Sequence, residues 1–340
     1  MSAAATVAPD AILKDLAKLW VSLAKEKEER APGKLDTGSG VLRAISMTLL
    51  AAVDESEDPA DVGETIALLM KEHPSRAIIL RLVAGEGRVL SSRVYAQCWM
   101  PFGQRRQICC EQIEITASEC AVEDLQGVVL PLTVPDLPII LWCRSAHMLS
   151  LPAFSGIAAV ATKVIIDGDA FHQSGTQFEE LQKLLADGRL VADLAWTRIT
   201  RWREAVSRAM ETGDFYQRMS GTVDVIVEHE NTRPRDGAYY FAAWLANSLE
   251  KCGATVNVKL QTADGALAGL CSVTLQLANS GEMVIRADGE GLEVTANGKT
   301  SHSVYPKTND YALLQEELSL PAHDPVFEAA LRRAIQMSQS

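Results

Sequence analysis

Between Asp10 and Arg30 the apolar residues Ile12, Leu13, Leu16, Leu19, Trp20 and Leu23 recur at the three- and four-residue spacing of one helix face. An amphipathic helix is expected there, with Asp10 as N-cap. The charged run Lys25-Glu26-Lys27-Glu28-Glu29-Arg30 and then Ala31-Pro32-Gly33 end it, and the chain to Gly40 reads as a linker. A second helix is expected from Pro59 to Glu72, turning Ile66, Leu69 and Met70 inward; it stops at His73-Pro74 because proline disfavours the α conformation in the residue before it. The apolar run Arg76 to Ala84 predicts a buried strand, and Gly85-Glu86-Gly87 turns it into a second from Arg88 to Trp99. A third strand is expected from Gln107 to Thr116, a helix from Val122 to Leu130, and a short strand over Lys163 to Asp167. Helices follow at Gly175 to Ala186 and Trp196 to Met210.

The run Val128 to Arg144 breaks this regularity, because Pro131, Pro135 and Pro138 interrupt an otherwise apolar stretch. Each proline fixes its own φ and lacks an N–H, so three of them fit neither one helix nor the middle of a paired sheet. The spacing predicts a rigid turn through Val134-Pro135-Asp136-Leu137-Pro138, then a buried strand from Ile139 to Trp142 that delivers Arg144 to its end.

Beyond Thr222 the pattern changes. A strand at Thr222 to His229 and a helix at Tyr239 to Lys251 precede strands at Thr255–Leu260, Leu270–Leu277, Met283–Ala287, Leu292–Ala296 and Lys299–Tyr305. The turns between the last of these are Asn279-Ser280-Gly281, Asp288-Gly289-Glu290-Gly291 and Asn297-Gly298, the last a strong hairpin signal. Helices at Asp310–Leu318 and Asp324–Met337 close the chain. The expected fold class is α/β, a mixed sheet flanked by helices, with a C-terminal α+β part containing an antiparallel meander. The expected division is an N-terminal helix and linker over residues 1–40, an α/β domain over 41–215 and the α+β domain over 216–340, with the boundary near Gly213 to Gly221.

Composition narrows the function classes. With 340 residues, 47% of them hydrophobic, the chain has material for a substantial core. Lys14, Asp15 and Lys18 interrupt the first amphipathic stretch and Asp136 and Arg144 the longest apolar one, so neither a signal peptide nor a membrane span is expected, and a cytoplasmic location follows by default. A formal net charge of -12 argues against nucleic acid as a partner, although Arg198, Arg201, Arg203 and Arg208 form a local basic cluster. The 7 cysteines are scattered without a C-x-x-C pair and do not suggest a disulfide framework; they read as small core hydrophobes, with Cys98 or Cys120 near Arg105 and Arg106 as the alternative redox-sensitive thiol.

Motifs of catalysis are mostly missing. Gly298-Lys299-Thr300 lacks the upstream glycine of a P-loop, having Glu293 there, and Gly85-x-Gly87 lacks the third glycine of a dinucleotide fingerprint, having Leu90. The 6 histidines include no pair at metal-ligand spacing, and no nucleophile elbow is present. Asp167-Gly168-Asp169 reads as a turn after a strand, with a cation site as the alternative. No cofactor and no metal are expected.

Several ordered blocks resemble one known family. The proline segment ending in Trp142 and Arg144 is similar to the signature of the glucose-6-phosphate dehydrogenase assembly protein (OpcA) family. His73-Pro74-Ser75-Arg76, Cys109-Cys110-Glu111-Gln112-Ile113, and Asp193 to Arg198 with Trp202-Arg203-Glu204 resemble other blocks of that family in the same order. One departure is Trp142-Cys143, where the resemblance implies an aromatic pair. The resemblance implies a non-catalytic accessory protein that binds glucose-6-phosphate dehydrogenase and promotes its assembly or activation in the oxidative pentose phosphate pathway. The residues expected to serve the partner are Arg76, Pro135, Asp136, Pro138, Trp142, Arg144, Trp196, Arg198, Trp202 and Arg203, because aromatic and arginine side chains dominate interface anchors. The structural alternatives are a core role for Trp142 and an internal salt bridge between Asp136 and Arg144. A competing class is a sugar-phosphate enzyme or metabolite sensor, in which Arg76, Arg144 and Arg198 converge on a phosphate.

Overall fold

The computed structural model describes residues 7–30, 41–85, 87–100, 107–171, 176–211, 221–230, 234–263, 269–277, 281–289, 291–296, 298–304, 308–320 and 322–339. The expected linker before Gly40, the basic pair Arg105 and Arg106, Gly175, most of the boundary near Gly213 to Gly221, and Tyr305 lie outside these residues. Two compact units follow one another, Met1–Ile166 and Asp167–Ser340.

The first unit holds α1 (Pro9–Arg30), β1 (Val41–Arg43), β2 (Met47–Asp54), α2 (Pro59–Leu69), β3 (Ser75–Val83), β4 (Leu90–Trp99) and β5 (Gln107–Ser118). It continues with α3 (Leu125–Val129), β6 (Ile139–Cys143), α4 (Ala146–Ser150), α5 (Pro152–Ala158) and β7 (Lys163–Ile166). The strands lie in the order β1-β5-β3-β2-β6-β7, all parallel, with β4 antiparallel along the free edge of β5. From β2 the chain therefore builds outward on one side through β3 and β5, then crosses to the other side through β6 and β7. Strand β2, with β3 on one edge and β6 on the other, is buried from Met47 to Val53, as expected for a central parallel strand.

Helix α1 docks on its own unit. Ile12 and Leu16 are buried, and Trp20 Nε1 donates to Glu111 Oε1 at 2.6 Å. Glu111, fully buried, also takes Arg76 Nε at 2.6 Å and Arg43 Nη2 at 2.5 Å. One carboxylate thus joins the helix to β1, β3 and β5. The adjacent cysteines behave as alternation requires: Cys98 and Cys109 face each other across β4 and β5 and form a disulfide, while Cys110 is buried and free. The expectation of core thiols alone is corrected for that pair, since its partner is set by hairpin register and not by sequence spacing.

The second unit holds α6 (Thr176–Ala186), β8 (Leu190–Asp193), α7 (Leu194–Arg198), α8 (Thr200–Glu211), β9 (Thr222–His229), α9 (Asp236–Lys251) and β10 (Thr255–Thr262). It closes with β11 (Leu270–Leu277), β12 (Glu282–Asp288), β13 (Gly291–Ala296), β14 (Lys299–Val304), α10 (Asp310–Leu318) and α11 (Pro325–Ser338). Its sheet runs β10-β9-β11-β12-β13-β14, with β10 parallel to β9 and the rest an antiparallel meander. Val223, Val225 and Val227 of β9 and Met283 and Ile285 of β12 are buried, while Asp224 and Glu282 on the alternate face are exposed. The expected α/β class with a mixed sheet and a C-terminal meander is the observed one.

Candidate functional site

In the first unit the strand order reverses at β2, whose neighbours β3 and β6 are reached by connections on opposite sides. Such a reversal opens a crevice beyond the carboxyl ends of the strands, where doubly wound sheets bind ligands. Here the crevice measures about 650 Å³ and is lined by Asp54, the last residue of β2, with Glu55 and Ser56 after it, by Leu82 and Val83 at the end of β3 and Ala84 after it, by Glu119 after β5, and by His147 on α4. A nucleotide crevice needs glycines after its first strand so that backbone N–H groups can approach a pyrophosphate. This chain has Asp54-Glu55-Ser56-Glu57-Asp58 there, followed by Pro59, which has no N–H. Carboxylates therefore stand where phosphate would sit.

Hydrogen bonds hold this acidic mouth in place. Ser145 Oγ donates to Asp54 Oδ1 and accepts from Met148 N at 2.8 Å, which caps α4. Glu55 Oε2 accepts from Ala84 N at 3.0 Å. Arg144 donates through Nε to Glu57 Oε2, and its guanidinium lies 5.1 Å from the centroid of the Trp142 ring. Glu57 Oε1 is buried without a hydrogen-bond partner among the described residues. Nearby Cys143 is buried, which pushes its thiol up to about 12 and leaves it inert.

The proline turn lies at the opposite, amino-terminal end of the same strands. Leu137 N donates to Val134 O at 3.4 Å, Pro135 precedes Asp136, and Asp136 has φ 63°. That is the geometry of a type II turn, whose third position normally takes glycine. Thr48 pins it from both sides: its Oγ1 accepts from Val134 N at 3.0 Å, and its N donates to Pro138 O at 2.9 Å. Pro135, Asp136 and Pro138 are exposed, whereas Trp142 is fully buried. Arg76 is buried in the same half, bonded to Glu111 and, through Nη1, to Leu132 O at 2.6 Å. Two expectations are corrected. Arg144 pairs with Glu57 and not with Asp136, and Arg76 and Arg144 do not converge, because they stand at opposite ends of parallel strands.

In the second unit the expected single helix from Trp196 to Met210 is two helices, α7 and α8, that meet at Ile199. Asp193 caps α7 by accepting from Ala195 N at 2.9 Å, and its Oδ1 also accepts from Gly168 N at 2.9 Å. Tyr240 Oη donates to its Oδ2 at 2.9 Å. Arg198 is clamped by Asp167 at 2.8 Å and Asp169 at 3.1 Å. Burial alone would lower the Arg198 pKa, but the two carboxylates outweigh it and raise it. Asp236 is buried beside them, bonded to Gln177 through Oδ2, with Oδ1 lacking a hydrogen-bond partner among the described residues. Burial, opposed by the Gly168 and Ala195 N–H groups, pushes Asp193 up to about 7, and burial together with the Asp193 charge holds Asp236 well above the carboxylate range. Among the described residues no group of three or more His, Cys, Asp or Glu side chains could hold a metal ion. Trp196 and Trp202 are buried; Trp196 Nε1 donates to Asp324 Oδ2 at 3.1 Å, and Arg203 stacks 3.6 Å over the Trp196 ring. Burial lowers the Arg203 pKa to about 10. The buried acids around Gly168 were not anticipated as a cluster; Asp167-Gly168-Asp169 was their only local signal.

The class defined by these features is an α/β protein whose first unit has the strand order of a dinucleotide-binding sheet and an acidic crevice in place of the glycine loop. Residues 67–183 match the family model described as glucose-6-phosphate dehydrogenase subunit N-terminal domain, and residues 189–331 match that of its C-terminal domain. The chain belongs to the OpcA family. Among curated proteins it is similar to one of Nostoc punctiforme provisionally named OxPP cycle protein OpcA, 28% identical over 192 residues, 56% of this chain and 40% of that protein. The Synechocystis protein of the same name is 24% identical over 56% of this chain and 39% of its own length. The match thus spans about two-fifths of these relatives. Among solved structures, an oxidoreductase from Sinorhizobium meliloti aligns at TM-score 0.50 and 9% identity over 87% of this chain and 96% of that one, a likeness of fold alone. Among the described residues no helix is long and apolar enough to cross a membrane.

Proposed function

We propose that this chain is a non-catalytic accessory protein that binds glucose-6-phosphate dehydrogenase and promotes its assembly or allosteric activation in the oxidative pentose phosphate pathway. The observation that carries the reading beyond family membership is the sequence Asp54 to Asp58 at the head of the crevice, which opposes the phosphates of a nicotinamide dinucleotide instead of cradling them. The partner can shift its enzyme only by preferring one state of it. On this reading the exposed turn residues Pro135, Asp136 and Pro138 touch the dehydrogenase. Trp142, Arg144 and Arg76 hold the ends of the sheet in shape, and Trp196, Arg198, Trp202 and Arg203 do the same within the second unit. The test is an assay of the cognate dehydrogenase with and without the purified protein, alongside its oligomer distribution. The expected result is a lower apparent KM or a shift toward the active oligomer, with no hydride transfer to NADP by the protein alone. Turnover by the pure protein, or a dehydrogenase unchanged at saturation, refutes the reading.

A further inference from the structure

The crevice has a chemistry of its own. Its lining combines Leu82, Val83 and Ala84 at the end of β3 with the carboxylate-bearing Asp54, Glu55 and Glu119, and His147 is the one basic residue of the lining among the described residues. Two arginines reach this rim through Glu57: Arg144 pairs with its carboxylate, whose other oxygen is buried without a partner among the described residues, and Arg81 donates to its backbone oxygen at 3.4 Å while pairing with Glu114. His147 Nε2 lies 3.9 Å from Glu119 Oε2, and both are at least half exposed, so this pair leaves the mouth negative. Three ligand classes are disfavoured. Anions meet like charge, apolar groups would strip water from carboxylates without replacing it, and among the described residues no group of side chains could hold a metal ion. What remains complementary is a cation on a hydrocarbon stem, which can lay methylenes against the apolar residues of the lining and its charged head among the acids. A volume of about 650 Å³ admits such a side chain with its flanking residues and no folded element.

We infer that the crevice docks a lysyl or arginyl side chain carried on a loop of the protein partner. The inference rests on the accessory reading and adds to it a second contact point, at the end of the sheet opposite the proline turn. A fold that elsewhere takes a dinucleotide at its strand reversal would here use the same concavity, with inverted charge, for a protein.

The test is the affinity of the full chain for its cognate dehydrogenase, measured by surface plasmon resonance at two salt concentrations. The Glu55→Lys/Glu119→Lys variant is compared with an equal charge change outside the lining, Asp15→Lys/Glu64→Lys, and melting of each variant shows that it is folded. Because Glu119 is 63% exposed, the single variant Glu119→Lys serves if the double one does not fold. The expected result is a loss of about 10-fold or more at the crevice, a shallower salt dependence of association, and a loss of about 3-fold or less for the control. Equal losses for the two variants, or none, overturn the inference while leaving the accessory reading intact. Wild-type protein that does not bind the dehydrogenase overturns both. Crevice-dependent binding of spermidine, with dehydrogenase affinity untouched by the charge reversal, overturns the docking role and marks a small-cation site.

Discussion

The buried acids of the second unit predict an unusual stability profile. Asp193 and Asp236 are both withdrawn from water, and a β-carbon placed on Gly168 would collide with Asp236 Oδ2 and stand 2.7 Å from Asp193 Oδ2, so one small residue separates the two carboxyls. Asp167 and Asp169 share Arg198, so its charge is already matched. The pair therefore titrates as a unit and holds a proton into the neutral range. An Asp193 pKa raised from 3.8 to about 7 corresponds to about 4 kcal/mol of folding free energy. The sign follows from proton counting. Between these two pH values the folded chain binds more protons than the unfolded one, so the contribution is complete below about pH 4 and is lost as pH rises through 7. Glu228 and Glu250 act the other way. They are held below the usual range by hydrogen bonds from Ser272 and Arg333, but their effect falls near and below their ordinary 4.5. Asp169 is raised as well, by its burial, so the interval from pH 5 to 8 belongs to these buried acids together.

The perturbation is Asp193→Asn, whose amide oxygen can still accept from Gly168 and Ala195 while carrying no charge at any pH. Urea denaturation followed by far-UV circular dichroism and tryptophan fluorescence, at half-unit steps from pH 5 to 8, gives the slope. The wild-type chain is expected to lose stability on the order of 3 kcal/mol across this range, and the variant to lose measurably less, the remainder coming from Asp236, which burial still holds up. A wild-type profile that is flat or rising from pH 5 to 8, or a variant that keeps the wild-type slope, refutes the shared proton.

Gly168→Ala should destabilise the second unit by about 3 kcal/mol or more, read as a lower Tm, because the added methyl has only the buried carboxyls to displace. Glu111→Ala should cost about 3 to 5 kcal/mol by leaving Arg76 buried and unpaired, whereas Trp20→Phe, which removes one hydrogen bond to the same carboxylate, should cost only about 1; equal melting of the two variants would contradict the bridge. At the proline turn Asp136→Val should cost about 1 to 2 kcal/mol and Asp136→Gly nothing, since only the β-branched residue resists φ 63°. If the turn contacts the dehydrogenase, Asp136→Gly should also weaken activation while melting stays unchanged, and activation that is fully retained removes Asp136 from the contact surface.

Where one face of an element meets solvent, its period is visible in the sequence. Helix α1 and strands β9 and β12 alternate as their burial does, and β13 pairs with β14 up to Ala296 and Lys299, the residues that flank the Asn-Gly signal; Asn297 itself lies outside the described residues. The central strand β2 escaped because nothing on it is exposed. Met-Thr-Leu-Leu-Ala-Ala-Val has no alternation, and Leu, Ala and Met favour helix, so only its parallel neighbours β3 and β6 make it a strand. Strand β8 is four residues long and runs directly into α7, too short for any period to register. The break between α7 and α8 was hidden because Ile199 and Thr200 carry no proline or glycine signal, while the side chains on both sides keep helical spacing.

The crevice was hidden for the same reason as β2. Asp54 to Asp58 is an ordinary acidic loop until the strand before it is recognised as the first of a doubly wound sheet; only then does the missing glycine loop acquire meaning. Arg144 illustrates the limit from the other direction. Its place at the end of β6 was readable, but its partner was not, since Glu57 lies 87 positions away on the far side of the same reversal point. An arginine beside exposed Asp136 in sequence suggests a local ion pair, yet eight residues of extended strand and turn carry the two to opposite ends of the sheet at about 3.3 Å per residue. The residues most conspicuous as a motif are therefore split between two surfaces, the proline turn and the acidic crevice. A partner held by both would have to reach along the full length of the strands, so single substitutions at either end should weaken binding without abolishing it, and combining them should add their costs because the sites share no neighbours.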